Sequence, residues 1–189
     1  MRVIAGQYRR RTLRSLPGRE IRPTADRLRE TLFNVLSAGD PAALAESVWL
    51  DLYAGTGAVG IEALSRGARM VYFAEPSKPA AELIAGNLKS LGIAQGFQIV
   101  KLDAGKALRR LEAAGNVADY VFLDPPYSMQ DEYAKTMAAL AESKLLVGRS
   151  LVIAEHEKRF DPGEAFGELL RYRKLVQGDA ALSFYRRLA

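Results

Sequence analysis

The chain opens on a weak alternation of apolar and polar side chains. Residues 2–16 follow it, interrupted by Gly6, and predict a short hairpin that ends at Pro17-Gly18. After the extended dipeptide Arg22-Pro23, Thr24 reads as a helix N-cap, with Asp26 in the first turn to complement the helix dipole. Leu28, Leu32, Val35 and Leu36 then recur at helical spacing until Gly39 and Pro41 stop the helix.

From residue 48 onward, apolar strands alternate with amphipathic helices. Strands are expected over 48–53, 70–75, 97–102, 119–124 and 150–155, and helices over about 58–66, 78–91, 104–113 and 131–142. Tyr120, Val121, Phe122 and Leu123 form an unbroken apolar run, as in a strand buried on both faces. Repeats of this kind with short loops predict an α/β fold: a parallel sheet with helices on both sides. The tail departs from that rule. Pro162, Gly163 and Gly167 leave little room for a helix between residues 157 and 169. Two strand-like runs, 170–176 and 181–188, are then joined only by Gln177, Gly178, Asp179 and Ala180. A parallel crossover needs a dozen or more residues, so the sheet should end in an antiparallel hairpin. Residues 1–45 are expected to form an N-terminal extension and residues 46–189 the α/β body.

Composition narrows the chemistry. A chain of 189 residues, 49% hydrophobic, can bury a core without disulfide or metal staples. The absence of cysteine excludes disulfides and thiolate metal sites, and one histidine, His156, cannot make a histidine cluster. No metal site is expected, and His156 reads as structural or surface. No apolar run approaches the roughly 18 residues of a membrane span, so a cytoplasmic location is expected.

Charge divides the chain unequally. Residues 1–29 hold nine arginines against Glu20 and Asp26, a balance of +7, whereas the remaining residues sum to −2. The basic segment, with its Arg9, Arg10, Arg11 run, reads as a separate arm for a polyanion, and nucleic acid is the expected partner.

The loop Gly55-Thr56-Gly57-Ala58-Val59-Gly60 is a G-x-G-x-x-G between a strand and a helix. Glu75 ends the next strand, 24 residues beyond Asp51, where an acid accepts the two ribose hydroxyls of a nucleotide cofactor. Asp51, just ahead of the loop, would repel a pyrophosphate but can receive an ammonium group. That selects S-adenosylmethionine over NAD and sets aside an NAD-dependent oxidoreductase. Asp103 is placed either to accept from the adenine amino group or to cap the helix beginning at Ala104. Tyr53, Ala54, Gly55, Thr56, Gly57, Pro76 and Ala104 complete the expected cofactor contacts.

Asp124-Pro125-Pro126-Tyr127 follows the most apolar strand, at the carboxyl edge where such sheets bind ligands. Two prolines hold extended backbone, which can fix the Pro125 carbonyl beside the Asp124 carboxylate. An exocyclic base amine is a poor nucleophile because its lone pair is delocalised into the ring. Accepting hydrogen bonds from both its N–H groups favours the pyramidal form, whose lone pair can reach a sulfonium methyl. Tyr127 offers a face on which the base can stack.

Asp51 through Ala68, Phe122 through Tyr127, Arg2 through Gly6, Arg22 through Arg27 and Arg29 through Phe33 together resemble the RsmD family. The resemblance covers essentially the whole chain. It implies a seven-stranded class I methyltransferase sheet and methyl transfer from S-adenosylmethionine to guanine N2 in 16S ribosomal RNA. It also implies an assembled or nearly assembled 30S particle as substrate. Arg9, Arg10, Arg11, Arg22 and Thr24 are the candidate RNA contacts, and a monomer is expected. Two other readings stay open at this stage. One is a DNA adenine-N6 methyltransferase, which would present its target amine to the same tetrapeptide, and the other is a non-catalytic RNA-binding module of the same fold.

Overall fold

A computed structural model describes residues 1–15 and 23–187, with Pro23, Thr24 and Ala25 as backbone alone. The expected hairpin end at Pro17-Gly18, Arg22 and the Thr24 side chain lie outside the described residues.

The elements run α1 (Pro23–Leu36), β1 (Val48–Leu52), α2 (Ala58–Ser65), β2 (Met70–Ala74), α3 (Lys78–Ser90), β3 (Phe97–Val100) and α4 (Ala104–Ala113). They continue as β4 (Ala118–Leu123), α5 (Asp131–Glu142), β5 (Leu146–Glu157), β6 (Ala165–Phe166), β7 (Leu169–Gln177) and β8 (Ala180–Arg187). One sheet holds all the strands in the order β3-β2-β1-β4-β5-β8-β7-β6. β1 to β5 pair in parallel, and β8 returns antiparallel between β5 and β7. The parallel body and terminal hairpin agree with the hydrophobic pattern. The sheet has eight strands where seven were expected. The addition is Ala165–Phe166, which pairs with Leu169 and Leu170 in the stretch too glycine-rich for a helix. Two residues are too few to show a period, so the pattern does not reveal them.

Alternation along β1 separates two cores. Trp49 faces the layer of α1, α2 and α3, where it stacks between Phe33 at 5.2 Å and Tyr120 at 4.6 Å. Leu50 and Leu52 face α4 and α5, against Leu108, Tyr133 and Met137. Each such side chain removed from water contributes about 1.5–3 kcal/mol. Gly60 lets α2 sit close on the sheet, because a Cβ there would fall 2.3 Å from the Phe73 ring. Among the described residues no helix is long and apolar enough to cross a membrane.

The N-terminal segment differs from the expected ribbon. It has one isolated bridge, Arg2 to Thr12, and the chain reverses between Gly6 and Arg10, both at positive φ. It is also packed on the body rather than separate from it. Buried Glu62 of α2 accepts the amides of Ile4 and Ala5 at 2.8 and 3.0 Å. Ser65 donates to the Ala5 carbonyl and accepts the Tyr8 amide. A Cβ at Gly6 would lie 1.8 Å from the Ser65 carbonyl oxygen, so only glycine fits this contact. The α1 helix begins at Pro23, making Thr24 its second residue instead of its cap. Proline's fixed φ and missing N–H suit the first helical position.

Candidate active site

The carboxyl ends of β1, β2, β4 and β5 open into a cavity of about 650 Å³. Parallel strands place their outgoing loops together at this edge, and the reversal of strand order between β1 and β4 leaves a crevice there.

Asp51 stands on β1, buried, and its Oδ2 accepts the Gly60 amide from the first turn of α2 at 3.0 Å. Burial pushes its carboxyl up to about 8 against the pull of that hydrogen bond, and repulsion from Asp124 and Glu75 adds to the rise. The chain then turns through Tyr53 at φ 62. The Tyr53 hydroxyl donates to Glu132 at 3.2 Å and shares a 2.9 Å hydrogen bond with Thr136, tying the loop to α5. Burial pushes this phenol up to about 12.

Glu75 is held from both sides. One oxygen accepts the Gly55 amide and the other the Ser77 amide, each at 2.9 Å. Two fixed amides leave further lone pairs on the carboxylate for ligand hydroxyls. Asp103 caps α4, taking the Lys106 amide at 2.9 Å and the Lys106 ammonium at 2.8 Å. Those Lys106 contacts hold its carboxyl below the ordinary range. Asp103 thus caps the helix, as the second reading expects, and it also lines the cavity.

Asp124, Pro125, Pro126 and Tyr127 all line the same cavity, and Tyr127 is 42% exposed. Tyr53, Ala54, Gly55, Thr56, Pro76 and Ala104 line it too. Gly57 does not. It lies at φ +75 behind the loop, where a Cβ would meet Ile84 at 3.2 Å. Arg9, Arg10 and Arg11 are exposed and lie outside the wall, and Arg11 donates to the Ser90 carbonyl at 3.0 Å. His156 is fully buried between Ser183 and the Glu157 carbonyl, away from the cavity, and burial lowers its pKa.

Three charged wall residues escaped the sequence reading: Arg29, Glu132 and Glu155. Arg29 was counted with the basic arm, yet it shares a helix face with Leu32 and Phe33 and is only 5% exposed. Glu155 follows the last parallel pair of its strand, as Glu75 does, and that shared position is the signal that could have found it. Glu132 is brought in by the hydroxyl of Tyr53.

Six carboxyl groups, Asp51, Glu75, Asp103, Asp124, Glu132 and Glu155, against the one guanidinium of Arg29, give the cavity an acidic wall. A cofactor carrying ammonium and sulfonium groups fits such a wall, and the pyrophosphate of a dinucleotide does not.

Residues 1–186 match the family model described as Conserved hypothetical protein 95. The chain is 31% identical to Ribosomal RNA small subunit methyltransferase D of Escherichia coli K12, covering 100% of this chain and 91% of that protein. Against the Haemophilus influenzae protein of the same name the identity is 35%, covering 84% and 79% respectively. A solved structure of a hypothetical protein from Thermus thermophilus superposes with a TM-score of 0.82 at 27% identity, over 98% of this chain and 99% of that one.

Proposed function

This chain belongs to the RsmD family of ribosomal RNA methyltransferases, and on that premise we propose that it methylates the exocyclic N2 of one guanine in 16S ribosomal RNA. The methyl donor in this reading is S-adenosylmethionine, and the substrate is the 30S particle or a late assembly intermediate. One observation carries the proposal. The Asp124 to Tyr127 tetrapeptide lines the same cavity as Asp51 and Glu75, so a base amine and a nucleoside cofactor can meet there.

Bound in this cavity, S-adenosylmethionine supplies an electrophilic methyl group on a sulfonium. Glu75, already oriented by the Gly55 and Ser77 amides, accepts the ribose hydroxyls. Asp51 faces the ammonium end, and Asp103 uses its remaining lone pairs for the adenine amine. The Asp124 carboxylate and the Pro125 carbonyl accept the two N2–H groups of guanine, while Tyr127 stacks on the ring. The sulfonium methyl of the bound cofactor would be the group that N2 accepts, with the carbon–sulfur electron pair leaving on sulfur, and Asp124 or water would take one N2 proton. Holding two reactants in line contributes several kcal/mol to such a step. The exposed Arg9, Arg10 and Arg11, together with Arg22 and Thr24, contact phosphates of the particle, and the protein acts as a monomer.

Incubating the protein with unmethylated 30S particles and methyl-labelled S-adenosylmethionine, then digesting the RNA to nucleosides, tests this reading. Label in N2-methylguanosine supports it, and label in N6-methyladenosine or no label overturns it.

A further inference from the structure

Two acidic residues stand just past the last parallel pair of β4 and β5, Asp124 after the end of β4 and Glu155 within β5. β4 and β5 pair with Leu123 opposite Ala154, so the next residues, Asp124 and Glu155, stand side by side at the edge of the sheet. Both line the cavity. The Glu155 main chain is fixed, since its carbonyl accepts the Tyr133 hydroxyl at 2.6 Å. Its carboxylate is different: among the described residues, no group donates a hydrogen bond to it. Arg29 lines the same cavity, immobilised by its bonds to the Arg2 carbonyl at 2.6 Å and to Asp26 at 3.0 Å. Burial and the neighbouring Asp124 push the Glu155 carboxyl well above the usual range, and Arg29 pulls it back. A carboxylate that lines the cavity beside Asp124, with no donor among the described residues, can accept one that arrives with the substrate.

We propose that Glu155 selects guanine by accepting its N1–H while Asp124 and the Pro125 carbonyl hold N2. This inference rests on the guanine-N2 reading above. On the Watson–Crick edge of guanine, N1–H and the N2 amine are neighbouring donors, as Glu155 and Asp124 are neighbouring acceptors on the sheet edge. Guanine N1–H, with Arg29 nearby, favours the ionised form of Glu155, and bases with a lone pair at N1, adenine and 2-aminopurine among them, set that lone pair against this carboxylate. A site built to accept a hydrogen bond strongly rejects a base that cannot donate it. Glu155 is thus a specificity-determining residue, and Arg29 a positioning residue that offsets the paired charges.

The test uses the full-chain protein and 30S particles reconstituted on ligated 16S RNA. The RNA carries guanine or 2-aminopurine at the position the wild type methylates in native particles. 2-Aminopurine keeps the N2 amine but has a lone pair at N1. The wild type is expected to prefer guanine by about 10- to 100-fold in kcat/KM. Glu155→Gln, whose amide can donate to that lone pair, is expected to shrink the preference by at least about tenfold with S-adenosylhomocysteine affinity unchanged. Differences in intrinsic base reactivity cancel between the two proteins. An unchanged preference in Glu155→Gln, or equal use of both bases by the wild type, overturns the role of Glu155 and leaves the reaction standing. A wild type that leaves guanine unmodified overturns the reaction and this inference together.

Discussion

The amide of Ile4 donates to the carboxylate of Glu62 at 2.8 Å, across 58 positions of sequence. Glu62 also accepts the amide of Ala5 and the Arg66 guanidinium at 2.8 Å, with no side-chain exposure. The N-terminal segment and the helix after the glycine loop therefore form one unit. Glu62→Ala should cost about 2–4 kcal/mol, because it leaves the largely covered Arg66 guanidinium and two amides without their buried acceptor. Glu62→Gln, which keeps one acceptor, should cost less. Urea unfolding midpoints at constant m-value check both.

Asp51 should make cofactor binding depend on pH. Its folded pKa of about 8 lies above the ordinary 3.8, so the free protein holds this proton at neutral pH. The stabilisation from that proton is complete below the unfolded pKa and is lost as pH rises through about 8. An arriving ammonium favours the ionised form and expels the proton. Affinity for S-adenosylhomocysteine should therefore rise between about pH 6 and 7.5, approaching tenfold per unit, with proton release. Titration calorimetry in buffers of different ionisation enthalpy measures that release. Asp51→Asn should bind more weakly and flatten the pH dependence.

Asp124 and Glu75 should separate chemistry from binding. Asp124→Ala is expected to abolish turnover while S-adenosylhomocysteine binds within a few-fold of wild type. Glu75→Ala should do the reverse in first effect, raising the dissociation constant by roughly tenfold or more through loss of two charge-assisted hydrogen bonds. Normal turnover in the first variant, or an unchanged dissociation constant in the second, contradicts these assignments.

The exposed arginines are expected to act through phosphates. Replacing Arg9, Arg10 and Arg11 with alanine should weaken binding to 30S particles and flatten its salt dependence by up to about 0.7 to 0.9 log units per lost contact. A slope equal to wild type would mean that the run is merely solvated.

The parallel body was legible because each strand is an apolar run and each helix a repeated stripe, as for Ala104–Ala113 and Asp131–Glu142. Gly55, Thr56, Glu75 and the Asp124 tetrapeptide could be placed at strand ends from the sequence, and the structure brings them to one cavity. Less was readable where the role depends on distant partners. Glu62 looks like a surface glutamate on a short helix until Ile4, Ala5 and Arg66 surround it. Arg29 counts toward the charge of a basic segment until α1 packs its face against the sheet. Leu146 joins β5 only because Ala118 lies opposite it, which local pattern does not show.

Mass spectrometric mapping of 16S RNA from cells with and without this protein reads the proposed guanine-N2 methylation at its site in the small-subunit RNA. The expected result is loss of a single N2-methylguanosine, restored by the wild-type chain and not by Asp124→Ala. An unchanged set of N2-methylguanosines, or loss of a different modification in their place, would contradict it.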